Sequence, residues 1–307
     1  MPHPRIIFAC PFPRDHITGG IKTVYQHAEW LAEAGINATV FSPDGTPTWL
    51  NTRAEVNATG RLETAPDDIV VLGETLDTVT SRFLGLQADK RIFCQNQFYV
   101  FNRFLGDEPH SALGISEVYG SSLSIQDFFA QIYKTTIRVV PYAVDPHRFK
   151  PSQKRLQIAF FPKKRPFEAQ FIQQAFRACY PAYRSVPFRE IHGLSEEAAA
   201  EVLAESAILL ALGHLDSFGL PALEGMASGC AVVGFHGIGG QEFARPDNGL
   251  WFDSDQLLAV VHALARVVQG VEHHAPWLAA MIASGQTTAA QYSPERARAA
   301  LLDYYSQ

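Results

Sequence analysis

Cysteine is scarce, long apolar runs are missing and no sign of charge dominates; each absence removes a class of protein. The four cysteines, Cys10, Cys94, Cys179 and Cys230, are scattered through 307 residues, without the paired spacings of a zinc site or a disulfide framework. Cys10, Cys94 and Cys230 lie in runs that read as buried strands, where a thiol serves as a small core residue in a reducing compartment. The histidines at 16, 110, 192, 214 and 236 share no metal-ligand spacing, so no metal is expected. RIIFAC near the N-terminus is too short an apolar run for a signal peptide, and no later stretch approaches a membrane span. A cytoplasmic chain without a transmembrane segment is expected, with peripheral membrane contact left open. A net charge of -6 gives no electrostatic footing for nucleic acid. The phosphate loop GxxxxGK[ST] and the nucleophile elbow GxSxG are both absent.

What is present describes a globular α/β protein. Hydrophobic residues make up 47% and charged residues 18% of the chain, enough apolar material for one large or two ordinary domains. RIIFAC reads as a strand, a loop follows, and Ile21, Val24, Ala28 and Leu31 recur at helical spacing. Gly35 is placed to stop that helix, and INATVFSP reads as the next strand. Further strands are expected at 68–73 (DIVVLG), 90–96 (KRIFCQN) and 137–144 (IRVVPYAV). After a linker-like DPHRFKPSQKR, a second run begins with the strand LQIAFFP. A helix follows with Phe171, Ala175 and Ala178 on one face, and then a helix capped by Ser195. SAILLALG and CAVVGF read as buried strands. Two such halves suggest two doubly wound, Rossmann-like domains facing a central cleft: residues 1–147, completed by the helix in 293–307, and residues 148–292.

In open parallel sheets, ligands bind beyond the carboxyl ends of the strands. There, HLDSFGLPALEGMASGCAVVGF places Asp216 before a turn and Glu224 eight residues on, inside a short helix. Gly219 permits close backbone approach and Pro221 suits the first helical turn. The N–H groups of Phe218, Gly219 and Leu220 then form an anion or hydroxyl site. Glu224 would repel phosphate but can accept from ribose hydroxyls, and Asp216 from those of a second sugar. The alternative makes Asp216 a helix cap and Glu224 a solvated helix residue. HGIGGQE (residues 236–242) misses the dinucleotide fingerprint, with Glu242 where the third glycine belongs, and TGGIK does not match it either. Both glycine entrances, Gly19-Gly20 and Gly239, can present N–H groups to phosphate or sugar oxygens, or serve as tight turns only. Lys163, Lys164 and Arg165 follow a core strand, which suits a diphosphate; a solvated surface cluster is the other reading.

Taken in order, these segments resemble the retaining GT-B glycosyltransferases of family 4. FACPFPRDHITGGIKTVYQHAEWLAEAGINATVFSP looks like the family's opening strand, glycine loop and helix. VVPYAVDPHRFKP is similar to its interdomain segment, and FFPKKRPFEAQFI to its G-R…K-G segment. DSFGLPALEGMASGCAVV resembles the signature E-G-F-G-L-P-x-x-E-A-M-A-x-G-x-P-V-V. The resemblance implies a metal-independent, retaining hexosyltransferase that needs no cofactor. It would move a sugar from a UDP- or GDP-type donor to a hydroxyl on a sugar or glycolipid acceptor, in bacterial-type polysaccharide or glycoconjugate synthesis. It implies that Glu224 binds the donor ribose and Asp216 the donor sugar. Lys163 and Arg165, with Lys164, would hold the diphosphate. Phe218 to Leu220, Gly19, Gly20 and Gly239 would complete the donor site.

Three departures stand out. The first acid is Asp216, one methylene shorter than the family's Glu. The histidine expected after a strand of the first half is replaced by IFCQNQF, which leaves Gln95, Asn96 and Gln97, with His16, as acceptor-side hydroxyl binders. The first domain is short. Two other functions therefore stay open: an inactive GT-B partner subunit that binds sugar nucleotide, and a GT-B sugar-nucleotide epimerase.

Overall fold

The computed structural model describes residues 4–75, 81–101 and 113–306. The chain divides into two compact units, Met1–Tyr142 with Glu295–Gln307, and Ala143–Pro294. The first division falls a few residues before 147, because the Val144 N–H already donates to Tyr292 O at 2.9 Å within the second unit.

In the first unit, strand β1 (Ile6–Ala9) leads into helix α1 (Gly19–Glu33) and back through β2 (Ala38–Phe41). Thr18 caps α1, its Oγ1 accepting from Ile21 N–H at 3.2 Å. Gly35, at φ +83°, ends it in the left-handed region that a side chain would disfavour. The two-residue strand β3 (Val56–Asn57), then β4 (Ile69–Gly73), β5 (Asp89–Cys94) and β6 (Glu117–Gly120) follow. Helix α2 (Leu123–Ile132) and β7 (Arg138–Val139) complete the seven-stranded order β3-β2-β1-β4-β5-β6-β7. The strand expected over 137–144 is thus only two residues long. The ladder still takes the Val140 N–H, which donates to Gly120 O at 2.9 Å, and then stops at Pro141, which has no N–H to give.

The second unit carries β8 (Arg155–Phe160), α3 (Pro166–Cys179), β9 (Phe188–Glu190), α4 (Glu196–Glu205) and β10 (Ser206–Gly213). Then come α5 (Leu220–Ala227), β11 (Ala231–His236), β12 (Leu250–Phe252), α6 (Leu257–Glu272) and α7 (Pro276–Ala290). Its sheet order is β12-β11-β10-β8-β9. Helix α3 buries Ala169, Ile172 and Phe176 rather than the expected Phe171, Ala175 and Ala178; Phe171 is exposed. Both sets have helical spacing, and the larger Ile172 and Phe176 take the inward side. The last helix, α8 (Pro294–Tyr305), packs in the first unit. The Tyr304 ring lies 4.4 Å from that of Tyr119, and Arg298 pairs with Glu33 at 3.3 Å.

Among the described residues every strand pairing in both sheets is parallel. All carboxyl ends of a sheet therefore lie along one edge, and the loops leaving that edge are where side chains of different elements can converge.

Candidate functional site

In the second unit the loops after β8, β10, β11 and β12 meet at such an edge. The chain leaves β10 through His214 and reaches α5 at Gly219, which holds φ +93° and caps the helix without a side-chain bond. Asp216 is therefore no cap for α5. Its Oδ2 accepts from His214 N–H at 3.2 Å, and its Oδ1 forms an ion pair with Lys164 Nζ. Phe218 is buried against Phe243 and Tyr292, at centroid distances of 5.8 and 5.1 Å. Its ring is core, and only the main chain of 218–220 remains for a ligand. The first N–H groups of α5 have no partner within the helix, as at any helix start.

Glu224 sits in the second turn of α5 and is 9% exposed. It is not a solvated helix residue. The helix is pressed onto β10: a methyl at Gly225 would come 2.4 Å from Leu209 Cδ2. That close approach sets the distance between α5 and β10.

HGIGG has a different use from the one its glycines suggest. The Gly239 N–H donates to Asp216 O at 2.7 Å, and a Cβ at Gly239 would lie 2.0 Å from Phe218 N. Ile238 N–H donates to His214 O at 3.1 Å. The glycine turn thus braces the Asp216 loop from behind, and Gly239 has no N–H left to offer a ligand.

The basic triplet is split. Lys163 and Lys164 are exposed, whereas Arg165 is 3% exposed. Arg165 stacks over Phe235 at 4.8 Å and binds Glu168 Oε1 at 3.0 Å, Ser254 Oγ at 2.7 Å and His214 Nδ1 at 3.1 Å. An arginine donates only, so His214 Nδ1 accepts and its proton sits on Nε2. Arg165 therefore ties three strand ends together, and its guanidinium is engaged by Glu168, Ser254 and His214. Partial loss of water around its ammonium, despite the exposure of the rest of the side chain, with the charge of Lys163 adding to it, lowers the pKa of Lys164 below the usual lysine value. Lys163, Lys164 and Asp216 thus put charge of both signs at the exits of β8 and β10, and the buried Glu224 lies in α5, the helix that follows.

The first unit has its own strand-end cluster. Gly19 and Gly20 open α1, and Gln95 follows β5 beside them: a methyl on Gly20 would lie 3.2 Å from Gln95 Oε1. Tyr142 O–H donates to that oxygen at 3.1 Å. Asn96 Oδ1 accepts from Phe98 N–H at 3.0 Å, and Gln97, buried, donates to Ser124 Oγ at 2.7 Å. His16 is exposed and stacked on Phe12, ring centroids 5.8 Å apart. A further member had no motif to announce it: Glu74, buried just beyond β4, whose Oε2 accepts from Gln95 N–H at 3.1 Å. Burial raises its pKa to about 7. The only signal in the sequence was its place, one residue past a strand.

His192 and His236 follow β9 and end β11, and His110 lies outside the described residues. Among the described residues no group of three or more His, Cys, Asp and Glu side chains could hold a metal ion, and no helix is long and apolar enough to cross a membrane.

No model of a known protein family matches the sequence. It is 29% identical over 234 residues to a protein of Actinobacillus pleuropneumoniae serotype 7 (strain AP76) named alpha-1,6-glucosyltransferase, an alignment covering 72% of this chain and 69% of that one. The structure is similar to Alr3699/HepE of Anabaena, solved with UDP and glucose, at a TM-score of 0.75, 12% identity, and coverage of 99% of this chain and 100% of that one. It is also similar to sucrose-phosphate synthase of Thermosynechococcus elongatus, at a TM-score of 0.73, 13% identity and 99% coverage of both chains. The fold is that of the GT-B glycosyltransferases. Its parallel sheets and their loops are those in which Asp216, Glu224 and the two lysines stand.

Proposed function

We propose that the chain is a glycosyltransferase that moves a hexosyl group, glucosyl by analogy with its curated relative, from a nucleoside-diphosphate sugar to a hydroxyl of a sugar or glycolipid acceptor. The observation that carries this reading is the strand-end edge of the second unit, where the exposed Lys163 and Lys164 follow β8, Lys164 pairs with Asp216 after β10, and α5, the next helix, carries the buried Glu224. A buried carboxylate near the start of a helix suits paired ribose hydroxyls, since it only accepts. The lysines and the α5 N-terminus suit the diphosphate, whose charge grows as the sugar departs; that is where preorganised donors contribute most. Asp216 suits a hydroxyl of the transferred sugar, with Lys164 released to the phosphate.

Retention of anomeric configuration, by a front-side route in which the leaving phosphate takes the acceptor's proton, is part of the proposal, as are independence from metals and a role in polysaccharide or glycoconjugate synthesis. The relative solved with UDP favours UDP as the donor nucleotide. Calorimetry against UDP, GDP and ADP, followed by a sugar-nucleotide turnover screen in chelator and NMR of the product's anomeric proton, tests each part in turn. Absence of binding to all three diphosphates would remove the basis for the donor site. Binding without transfer or hydrolysis would instead favour an inactive subunit, and donor conversion without acceptor an epimerase.

A further inference from the structure

Glu74 has no part in the donor site, yet a buried carboxyl at a strand end needs a reason. Its Oε2 takes the Gln95 N–H at 3.1 Å, and the N–H groups of Asn96 and of Glu74 itself also bond to the carboxyl. It fastens the exit of β5 to the exit of β4. Gln95 is then held at its other end by Tyr142, whose O–H donates to Oε1 at 3.1 Å, and is backed by Gly20, where any side chain would crowd it. Asn96 and Gln97 spend their side chains on a local cap and on Ser124. Gln95 is half-buried, and its bonds leave its Nε2 without an acceptor among the described residues. Of the three residues of QNQ, Asn96 and Gln97 are buried and Gln95 is the half-buried one, with its amide donor within reach of solvent.

We propose that Glu74 is the positioning residue of a hydroxyl-binding station in the first unit, holding the Gln95 main chain so that the Gln95 amide donates to a hydroxyl of a sugar acceptor. The assignment of the ligand as an acceptor rests on the transferase reading. A plain structural brace would hold Gln95 equally at every pH. Glu74 would not, because burial places its pKa at about 7. The titratable groups facing it are Cys94 on β5 and Tyr142 past β7, both raised by burial and neutral throughout that range; no other charged group contributes among the described residues. Ionised, the carboxylate accepts from all three N–H groups. Protonated, it has fewer acceptor sites and its grip on Gln95 slackens.

The test uses the full chain, labelled with 15N, and methyl α-D-glucopyranoside as the probe. The Gln95 side-chain amide signal is assigned by its loss in Gln95→Ala, a variant that keeps the main-chain N–H and so the Glu74 bond. In the wild type the signal should titrate with a midpoint of about 7. It should also shift saturably with the probe, with about fivefold tighter binding at about pH 8 than at about pH 6, the scale of one weakened hydrogen bond. Glu74→Gln, of the same shape, should bind at both pH values as the wild type does at the lower one, and its Gln95 signal should not titrate. Gln95→Ala should lose the probe with its remaining spectrum intact. Probe affinity that ignores pH, pH dependence that survives in Glu74→Gln, or a Gln95 amide indifferent to the probe would each overturn the station. UDP and GDP calorimetry on the same samples separates the two readings. Lost nucleotide binding with an intact Gln95 response sinks the transferase alone, and the reverse sinks the station alone.

Discussion

The Lys164 ammonium and the Asp216 carboxylate form an ion pair that ties the end of β8 to the loop after β10. Their side chains are 41% and 22% exposed, so the pair contributes only about 0–1 kcal/mol to stability. Effects on chemistry can therefore be read without a confounding loss of fold. Asp216→Ala should leave the affinity for free UDP or GDP within about twofold. Transfer should fall about a hundredfold, the scale of one lost contact to the reacting sugar. Glu224→Ala should weaken free diphosphate and donor alike, about tenfold, as loss of a charged hydrogen-bond partner does. Calorimetry with and without the sugar separates the roles; equal losses for diphosphate and donor in both variants would contradict them.

Arg165 should behave as a brace. Removing it strands Glu168, His214 and Ser254 and leaves a hole over Phe235. Arg165→Ala should cost about 3–5 kcal/mol in urea unfolding. Arg165→Lys should rescue little, since an ammonium cannot span three partners in one plane. Lys163→Ala, exposed, should stay within about 0.5 kcal/mol of the wild type while weakening diphosphate binding. A stable Arg165→Ala chain with selectively lost diphosphate affinity would return Arg165 to the ligand.

Arg165 also marks where the sequence stops being legible. KKR after a core strand reads as three equivalent cations, because the pattern fixes their place at a strand end but not which one the backbone turns inward. The strands, the Ser195 cap and the Gly35 stop were readable because each rests on local chemistry, as do the apolar runs of β8, β10 and β11. What failed depended on partners far along the chain. Both candidate faces of α3 have helical spacing, and only the sheet beneath selects Ile172 and Phe176. The glycines of HGIGG look like ligand donors until residues 214–218 are seen to run against them. Glu74 gave no periodic or motif signal at all, since its role depends on Gln95, 21 positions away.

His27 sets an acid limit on the fold. It lies on the inner face of α1, fully buried among Phe8, Trp30, Phe93 and Tyr119, with neither ring nitrogen hydrogen-bonded. Burial lowers its pKa from 6.5 to about 3. The unfolded chain therefore binds a proton that the folded chain refuses between those values. The stability contributed is fully present above about pH 6.5 and declines toward about pH 3, by at most about 1.4 kcal/mol per pH unit. His27→Leu should flatten that limb and raise stability near neutrality, since two unsatisfied buried nitrogens disappear. Urea midpoints measured across the acid range check this, and an unchanged slope in His27→Leu would place the titrating group elsewhere.

The last helix is an integral part of the first unit. Tyr304 packs at a tilt on Tyr119 with ring centroids 4.4 Å apart, Arg91 lies over Tyr304 and Tyr305 at 5.5 and 5.8 Å, and Arg138 reaches Asp303 at 3.7 Å. Because Arg91 and Tyr119 stand on β5 and β6, the sheet edge carrying Gln95 is braced from α8. Tyr304→Ala, which opens a cavity beside Tyr119, should destabilise the first unit by about 3–5 kcal/mol. Asp303→Ala, at an exposed pair, should cost less than about 1 kcal/mol. The Tyr304→Ala loss should appear as faster amide exchange in β5 and β6, with β10 and β11 of the second unit unchanged. Equal loosening of both sheets would show that α8 stabilises the whole chain and not the first unit in particular.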